Sequence, residues 1–307
     1  MAVNISNLDT EQRNSNTQNI DRLSTLEVVR LINSEDKKVA KSIEAVLPDV
    51  AEAIDAIYLK LKNGGRLIYA GAGTSGRLGL LDAVECPPTF SVDYELIKAL
   101  LAGGPEAFIK AKEGAEDSAE LGASDLAEIN FSDKDALVGI AASGRTPYVI
   151  GAMQYARTIG GVTIALSCTK NAEIAKFADI NIAPHPGPEV ITGSTRMKSG
   201  TAQKMILNML SSAVMIKLGK TYGNLMVDLK ATNEKLVSRA INIVCMATGA
   251  PLEEGQKTLE TCEFSAKNAI LMILAEIDYE TSKSVLEKSD GRIHLALEYL
   301  RGKGQDS

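Results

Sequence analysis

Apolar residues recur at intervals of three and four along the first part of the chain, from Leu26 to Leu61. This spacing places them on one face of a helix and therefore predicts helical structure. Ser24-Thr25-Leu26-Glu27 matches the Ser-x-x-Glu capping box that opens a helix, and Asn63-Gly64-Gly65 ends the pattern. We expect an N-terminal helical arm, assigned to residues 1–56.

Beyond residue 65, short apolar runs alternate with helical patterns. Such alternation is typical of a parallel β-sheet covered by helices on both faces, so the sequence predicts an α/β fold. We assign residues 57–220 to this domain and residues 221–307 to a C-terminal helical region. The predicted strands are 66–71, 91–98, 136–142, 161–167 and 179–183, and the predicted helices are 75–85, 105–128, 146–158, 171–177 and 200–218.

Two of the predicted strands end in similar turns rich in glycine and serine. Residues 67–77 read LIYAGAGTSGR, and residues 137–146 read LVGIAASGRT. Each turn runs into a predicted helix, whose first turn carries unpaired N–H groups and the positive end of the helix dipole. Phosphate binds at such positions, and parallel strands end at one edge of a sheet. The turns therefore predict one small phosphorylated ligand held from two sides, by Ser75 and Ser143.

The first turn also satisfies the Gly-x-Gly-x-x-Gly pattern of dinucleotide-binding proteins, at Gly71, Gly73 and Gly76. The donors at Ser75 and Arg77, and the Ser-Gly-Arg repeated in the second turn, favour a terminal phosphate instead. A third interpretation, in which both segments only join a strand to a helix, stays open at this level.

Composition narrows the class of protein. The 307 residues are 45% hydrophobic, which suffices for a full core, and the formal net charge of −6 argues against nucleic acid as a partner. Four cysteines without CxxC spacing and only two histidines predict neither disulfides nor a metal site, and they favour a cytoplasmic location. The polar N-terminus and the absence of a long apolar run predict no signal peptide and no membrane span.

Six blocks of residues resemble the sugar isomerase (SIS) domain family and, within it, the N-acetylmuramic acid 6-phosphate etherases. The blocks are 71–77 (GAGTSGR), 85–89 (ECPPT), 113–117 (EGAED), 140–148 (IAASGRTPY), 193–204 (GSTRMKSGTAQK) and 224–228 (NLMVD). The resemblance implies a SIS-type parallel sheet that binds a phosphosugar, a homodimer, and a carbon–oxygen lyase without a cofactor. The C-terminal helices resemble a small ubiquitin-associated (UBA) unit.

Members of this etherase family cleave the D-lactyl ether of N-acetylmuramic acid 6-phosphate during cell-wall recycling, giving N-acetylglucosamine 6-phosphate and D-lactate. The resemblance implies that Glu85 donates a proton to the departing lactate and that Glu116 is the base at C2. The division of roles between the two glutamates stays open. We expect substrate ligands at Ser75, Ser143 and Thr146, at Thr74 and Gly76 through their backbone N–H groups, and at Glu113, Arg196 and Lys198.

Two carboxyl groups suit this chemistry. The C1 aldehyde of the open-chain sugar acidifies the C2 proton, and the lactyl oxygen on C3 lies β to that carbonyl, so elimination needs one base and one acid. Each glutamate also has a simpler interpretation. Cys86 precedes Pro87, so we expect the helix to end there and leave Glu85 on the surface. Glu116 belongs to an acidic run on a predicted helix, and such runs are usually solvated. Gly114 is the one anomaly in the helical pattern and indicates a bend or a close approach there.

The spacing of Ser75 and Glu85 bears on the number of subunits at the site. Ten residues of continuous helix span roughly 15 Å, which is longer than the reach from a 6-phosphate to O3. We therefore expect Glu85 to serve the site of a neighbouring subunit. Two other functions stay open, a phosphosugar-sensing regulator without turnover and an aldose–ketose isomerase, which needs the base at C2 but no acid near O3.

Overall fold

The N-terminal arm forms two helices, α1 (Thr25–Glu44) and α2 (Leu47–Lys62). The computed structural model describes residues 9–110, 112–229 and 234–303. At the start of α1 the Ser24 hydroxyl accepts the backbone N–H of Glu27, and the Glu27 carboxylate accepts the N–H of Ser24 at 2.9 Å. The capping box and the helical N-terminal region are thus confirmed.

Five parallel strands form one sheet: β1 (Leu67–Gly71), β2 (Ile97–Leu101), β3 (Ala136–Ile140), β4 (Val162–Leu166) and β5 (Ile180–Ile182). Their order is β2-β1-β3-β4-β5. Every residue of β1 and β3 is buried, as expected of strands covered on both faces. These two strands pair with Gly71 beside Ile140, so both end at the same edge of the sheet. The predicted α/β fold is confirmed.

Helix α3 (Gly73–Phe90) is longer than the sequence predicts. It continues through Pro87 and Pro88 instead of ending at Cys86, so the predicted end is wrong. The fixed φ of proline is compatible with helix, and two prolines in the last turn remove only the donors to two carbonyls of the preceding turn. The N–H of Ser91 donates to the carbonyl of Pro87 at 2.9 Å and closes that turn.

Residues 105–128 do not form the single helix that the sequence predicts. They contain a 3-10 turn at Pro105–Phe108, a second at Ala115–Asp117, and helix α4 (Ala119–Glu128). Gly114 has φ +77°, a left-handed conformation that interrupts a helix and favours glycine. Ser118 then caps α4 by accepting the N–H of Leu121 at 3.1 Å. Glu116 therefore lies on a turn and not on a helical face.

Two smaller predictions are also wrong. The second strand lies at 97–101 rather than 91–98, because the extension of α3 to Phe90 leaves residues 91–96 to return the chain to the sheet. Residues 173–177 form a 3-10 turn rather than a helix, as is common for short connectors. The remaining helices of this part are α5 (Pro147–Ile159) and α6 (Lys198–Lys217), within two residues of their predicted bounds.

The described chain divides into two compact units. One runs to Glu85 and from Tyr94 to Ser211, and the other takes Cys86–Asp93 and the described residues from Ser212 onward. The second unit contains a short hairpin, β6 (Thr221–Tyr222) and β7 (Leu225–Met226), and five helices in its described residues: α7 (Glu234–Thr248), α8 (Leu252–Thr261), α9 (Ala266–Ala275), α10 (Tyr279–Lys288) and α11 (Ile293–Lys303). The boundaries at residues 56 and 220 and the UBA likeness stay predictions.

Within the second unit, Asp228 joins the hairpin segment to α9. Its carboxylate accepts from Lys220 at 2.6 Å and from Lys267 at 3.1 Å. Burial raises the pKa of Asp228, but the two ammonium groups outweigh this effect and hold the pKa below its usual range. Among the helices that the structure describes, none has the length and apolar character to cross a membrane.

Candidate functional site

The junction of β1 and α3 carries the first of the two glycine- and serine-rich turns. Gly71 ends the strand and Gly73 begins the helix, so the chain reverses within two residues. A Cβ at Gly76 would overlap the backbone of Gly71, which explains why glycine is needed there. The N–H of Gly76 donates to the carbonyl of Ala72 at 3.2 Å and is therefore engaged within the turn.

Ser75 and Thr74 lie in the first turn of α3. Thr74 is half-buried, whereas Ser75 is buried and its hydroxyl donates to Oε1 of Gln203 in α6 at 2.9 Å. The sequence gives Gln203 no role, although it lies in one of the blocks that resemble the family. A partner of this kind depends on the packing of α6 against α3, which no local pattern encodes.

The junction of β3 and α5 carries the second turn, beside the first at the same edge of the sheet. Ser143 is half-buried, and its Oγ accepts the N–H of Arg145 at 3.4 Å. Thr146 occupies the N-cap position of α5, and its side chain makes no capping hydrogen bond to the helix. Its hydroxyl is therefore not used by the end of the helix.

A cavity of about 170 Å³ opens beside the first turn. It brings the beginning of α3 together with Glu113 and Glu116, which the sequence predicts as site residues. The lining residues are Ala72, Gly73, Arg77, Ala102, Ala107, Lys112, Glu113, Gly114 and Glu116. Glu113 and Glu116 are both exposed at its surface, so their carboxylates are accessible to a ligand. Lys112 adds a cation that the sequence argument missed, although the residue directly precedes a recognised block.

Arg77 holds the outer wall of this cavity in place. Its guanidinium donates to the carbonyls of Ala107 at 2.7 Å and of Phe108 at 2.8 Å. These bonds attach the 3-10 turn after β2 to the first turns of α3. The sequence predicts Arg77 as a donor to the anion, but the structure uses its Nε and Nη2 for these two carbonyls.

Glu85 lies apart from the cavity residues. It is exposed on α3, ten residues after Ser75, and α3 is continuous between them. Ten residues of continuous helix therefore separate Glu85 from Ser75 by roughly 15 Å along α3. Leu81 and Val84, one turn and one residue before it, are also exposed, at 47% and 46%. Glu85 thus lies on a partly apolar surface.

Lys198 is committed to a buried ion pair. Its ammonium donates to Oε2 of Glu35 in α1 at 2.9 Å and to the carbonyl of Pro186 at 3.0 Å, and its side chain is 1% exposed. Burial raises the pKa of Glu35, but hydrogen bonds from Lys38, Lys198 and two asparagines lower it to about 2. The structure therefore does not bring Lys198 to the cavity.

The N-terminus of α6 is also occupied from within the protein. The buried carboxylate of Glu189 accepts the N–H groups of Lys198 and Ser199, both at 2.9 Å. This segment is thus a capped helix start, in which a protein carboxylate takes the place of an anionic ligand. Arg196, just before it, is exposed and does not line the cavity.

Lys198→Met is expected to lower the free energy of unfolding by about 1–3 kcal/mol, because the Glu35 carboxylate loses its buried ammonium partner and keeps only the bonds from Lys38 and two asparagines. Denaturant unfolding measures this change. Lys38→Met is the matched control, since Lys38 pairs with the same carboxylate but is 50% exposed, and it should cost less than about 1 kcal/mol. Equal effects of the two substitutions would contradict the structural role of Lys198.

No group of three or more histidine, cysteine, aspartate or glutamate side chains that could hold a metal ion occurs in the described part of the chain. The four cysteines are free thiols. For Cys168, burial raises the pKa to about 12, so this thiol is not a nucleophile at neutral pH.

Comparison with known proteins gives two family-model matches. The glucokinase regulatory protein N-terminal SIS domain model matches residues 49–157, and the SIS domain model matches residues 119–213. Among solved structures, phosphoheptose isomerase GmhA from Neisseria gonorrhoeae has a TM-score of 0.49 at 20% identity, covering 62% of this chain and 98% of that chain.

Curated relatives match over nearly the whole chain. The N-acetylmuramic acid 6-phosphate etherase of Clostridium beijerinckii is 55% identical over 302 residues, which cover 98% of this chain and 99% of that protein. The protein of the same name from Vibrio atlanticus is 57% identical over 294 residues, 96% of each chain. Identity at this level and coverage establishes that the chain belongs to the N-acetylmuramic acid 6-phosphate etherase family.

Proposed function

We propose that the protein is a carbon–oxygen lyase that cleaves the D-lactyl ether of N-acetylmuramic acid 6-phosphate, giving N-acetylglucosamine 6-phosphate and D-lactate. The relatives that match this chain over nearly its full length carry the name of this activity. The observation that carries the proposal in the molecule itself is one cavity that joins the beginning of α3 to Glu113 and Glu116.

The phosphate is assigned to the edge of the sheet where β1 and β3 end. Ser143 and Thr146 supply hydroxyl donors, and Ser75 supplies a third when its proton is turned away from Gln203. The first turn of α3 at Thr74 supplies backbone N–H groups and the positive end of a helix dipole. An anion fixed there positions the sugar ring toward the adjacent cavity. A phosphate at this edge of the sheet and carboxylates in the cavity suit a sugar 6-phosphate that reacts at C2 and C3, several bonds from its phosphate.

The reaction is assigned to an elimination followed by a hydration. In the open-chain sugar, Glu116 takes the C2 proton, the C2–H electron pair forms the C2=C3 double bond, and the C3–O bond breaks. Glu85 gives a proton to the lactate oxygen. Water then adds to C3, losing a proton to a carboxylate, while C2 is protonated again. The steps are balanced without any oxidant or reductant.

Isotope incorporation tests this function directly. Incubation with N-acetylmuramic acid 6-phosphate in ¹⁸O-labelled water should release unlabelled D-lactate and place the label at C3 of N-acetylglucosamine 6-phosphate. In deuterated water, deuterium should appear at C2. A protein that binds the substrate and releases no lactate would be a sensor, and one that forms a ketose phosphate would be an isomerase.

A second copy of the chain completes the proposed site by supplying Glu85. Glu85 lies roughly 15 Å along α3 from Ser75, and the exposed Leu81 and Val84 beside it are suited to a protein–protein contact. A two-fold dimer would place Glu85 of one subunit at the phosphosugar bound by its partner. We place this homodimer in the cytoplasm, in the recycling of cell-wall sugars, where free cysteines such as those of this chain persist.

Subunit mixing tests the shared site. Ser75→Ala and Glu85→Ala homodimers should each be nearly inactive, whereas heterodimers formed by mixing and refolding them should contain one intact site and regain up to about a quarter of wild-type activity. Lactate release before and after mixing measures this recovery. A mixture no more active than its parents, although heterodimers form, would mean that one chain builds the whole site.

A further inference from the structure

Gln203 contains a polar atom that lacks a partner. The side chain is 1% exposed in α6, and its Oε1 accepts the hydroxyl proton of Ser75 at 2.9 Å. Its Nε2 is buried and makes no hydrogen bond. A buried amide N–H group without a partner is rare in native proteins and costs free energy. Ser75 is the group to which the structure shows this carboxamide bonded, so either amide atom could be paired with it.

The direction of the Ser75–Gln203 bond matters for anion binding. A serine hydroxyl has one proton, and here it points to Gln203. In this arrangement Ser75 presents only oxygen lone pairs to an incoming phosphate, which repel the phosphate oxygens. A carboxamide turned by 180° exchanges its oxygen and nitrogen with no other change of shape. Nε2 then donates to Oγ of Ser75, and the hydroxyl proton is free to point to the anion.

We propose that Gln203 is a positioning residue for phosphate binding: its carboxamide turns when the phosphosugar binds, donates to Ser75, and directs the Ser75 hydroxyl proton to the phosphate. This inference rests on the proposed phosphosugar site at the start of α3. Gln203 acts through Ser75, because its own Nε2 is buried and has no direct access to a ligand. When the carboxamide turns, Nε2 gains Ser75 as a partner and Oε1 gives up the Ser75 proton, so the amide keeps one hydrogen bond. The new bond from the Ser75 hydroxyl to the phosphate is what favours the occupied state.

A double-mutant cycle tests the proposal, with N-acetylglucosamine 6-phosphate as the probe and titration calorimetry as the measurement. Gln203→Met keeps the length of the side chain and removes both hydrogen-bonding atoms, and it should weaken binding about tenfold. In a Ser75→Ala background the same substitution should change affinity less than about twofold, because there is no hydroxyl left to direct. Gln154→Met, at an exposed position of α5, is the matched control and should have no effect.

Thermal unfolding of each variant separates affinity from stability. If Gln203→Met does not fold, Gln203→Glu replaces it, since a carboxylate only accepts and retains the Ser75 proton, and it should weaken binding at least as much; Gln154→Glu is then the control. Unchanged affinity, or an equal loss with and without Ser75, would overturn the role of Gln203. Wild-type protein that binds the probe but releases no lactate from the substrate would overturn the proposed function and not this inference.

Discussion

Glu116→Gln is expected to reduce lactate release about 10²–10⁴-fold, the range that general acid–base catalysis contributes, with little change in substrate affinity. The amide keeps the size of the side chain on its turn but cannot take the C2 proton. Since C2 of the product is acidified by the same aldehyde, the variant should also lose the exchange of the C2 proton of N-acetylglucosamine 6-phosphate with deuterated water. Lactate assays and proton NMR measure the two effects.

Asp117→Asn is the matched control for Glu116. It removes a neighbouring exposed carboxylate from the same 3-10 turn, and this residue does not line the cavity. The control should retain both lactate release and C2 exchange within about twofold, as surface substitutions usually do. If Glu116→Gln keeps full C2 exchange, then Glu116 is not the base, and the assignment of the two glutamates must be reversed.

Glu85→Gln should lower lactate release by a similar factor, about 10²–10⁴-fold, for a different reason. The departing lactate oxygen is a poor leaving group and needs the proton that Glu85 supplies. Deprotonation of C2 does not need this proton, so the variant should keep C2 exchange in the product. The two variants thus separate the base from the acid in one pair of measurements.

Glu52→Gln, at an exposed position of α2, is the control for the loss of an exposed carboxylate from a helix, and it should behave as wild type. Loss of C2 exchange in Glu85→Gln, with unchanged binding of N-acetylglucosamine 6-phosphate, would contradict the role of Glu85 as the proton donor. Unimpaired lactate release in this variant would remove Glu85 from the mechanism altogether.

The central strands could be predicted because a strand buried on both faces is visible in the sequence as a short continuous run of apolar residues. β1 and β3 are continuous apolar runs that end in small and hydroxyl-bearing residues, and a strand buried on both faces has no other composition available to it. The capping box at Ser24 is likewise a local signal that the structure confirms. Pro87 misled the prediction, since the rule for the residue before proline is statistical and a helix accommodates prolines in its last turn.

The sequence by itself determined the α/β class, the helical regions that precede and follow the sheet along the chain, and the two turns where β1 and β3 end, because each depends on residues that are neighbours along the chain. Only the tertiary structure decided which side chains share a site. In the folded chain Glu116 lies on a turn beside the start of α3, and Lys198 forms an ion pair with Glu35. Gln203 contacts Ser75, from which it is 128 positions away in the sequence. Contacts of this kind are set by packing between distant elements, and no periodicity or motif records them.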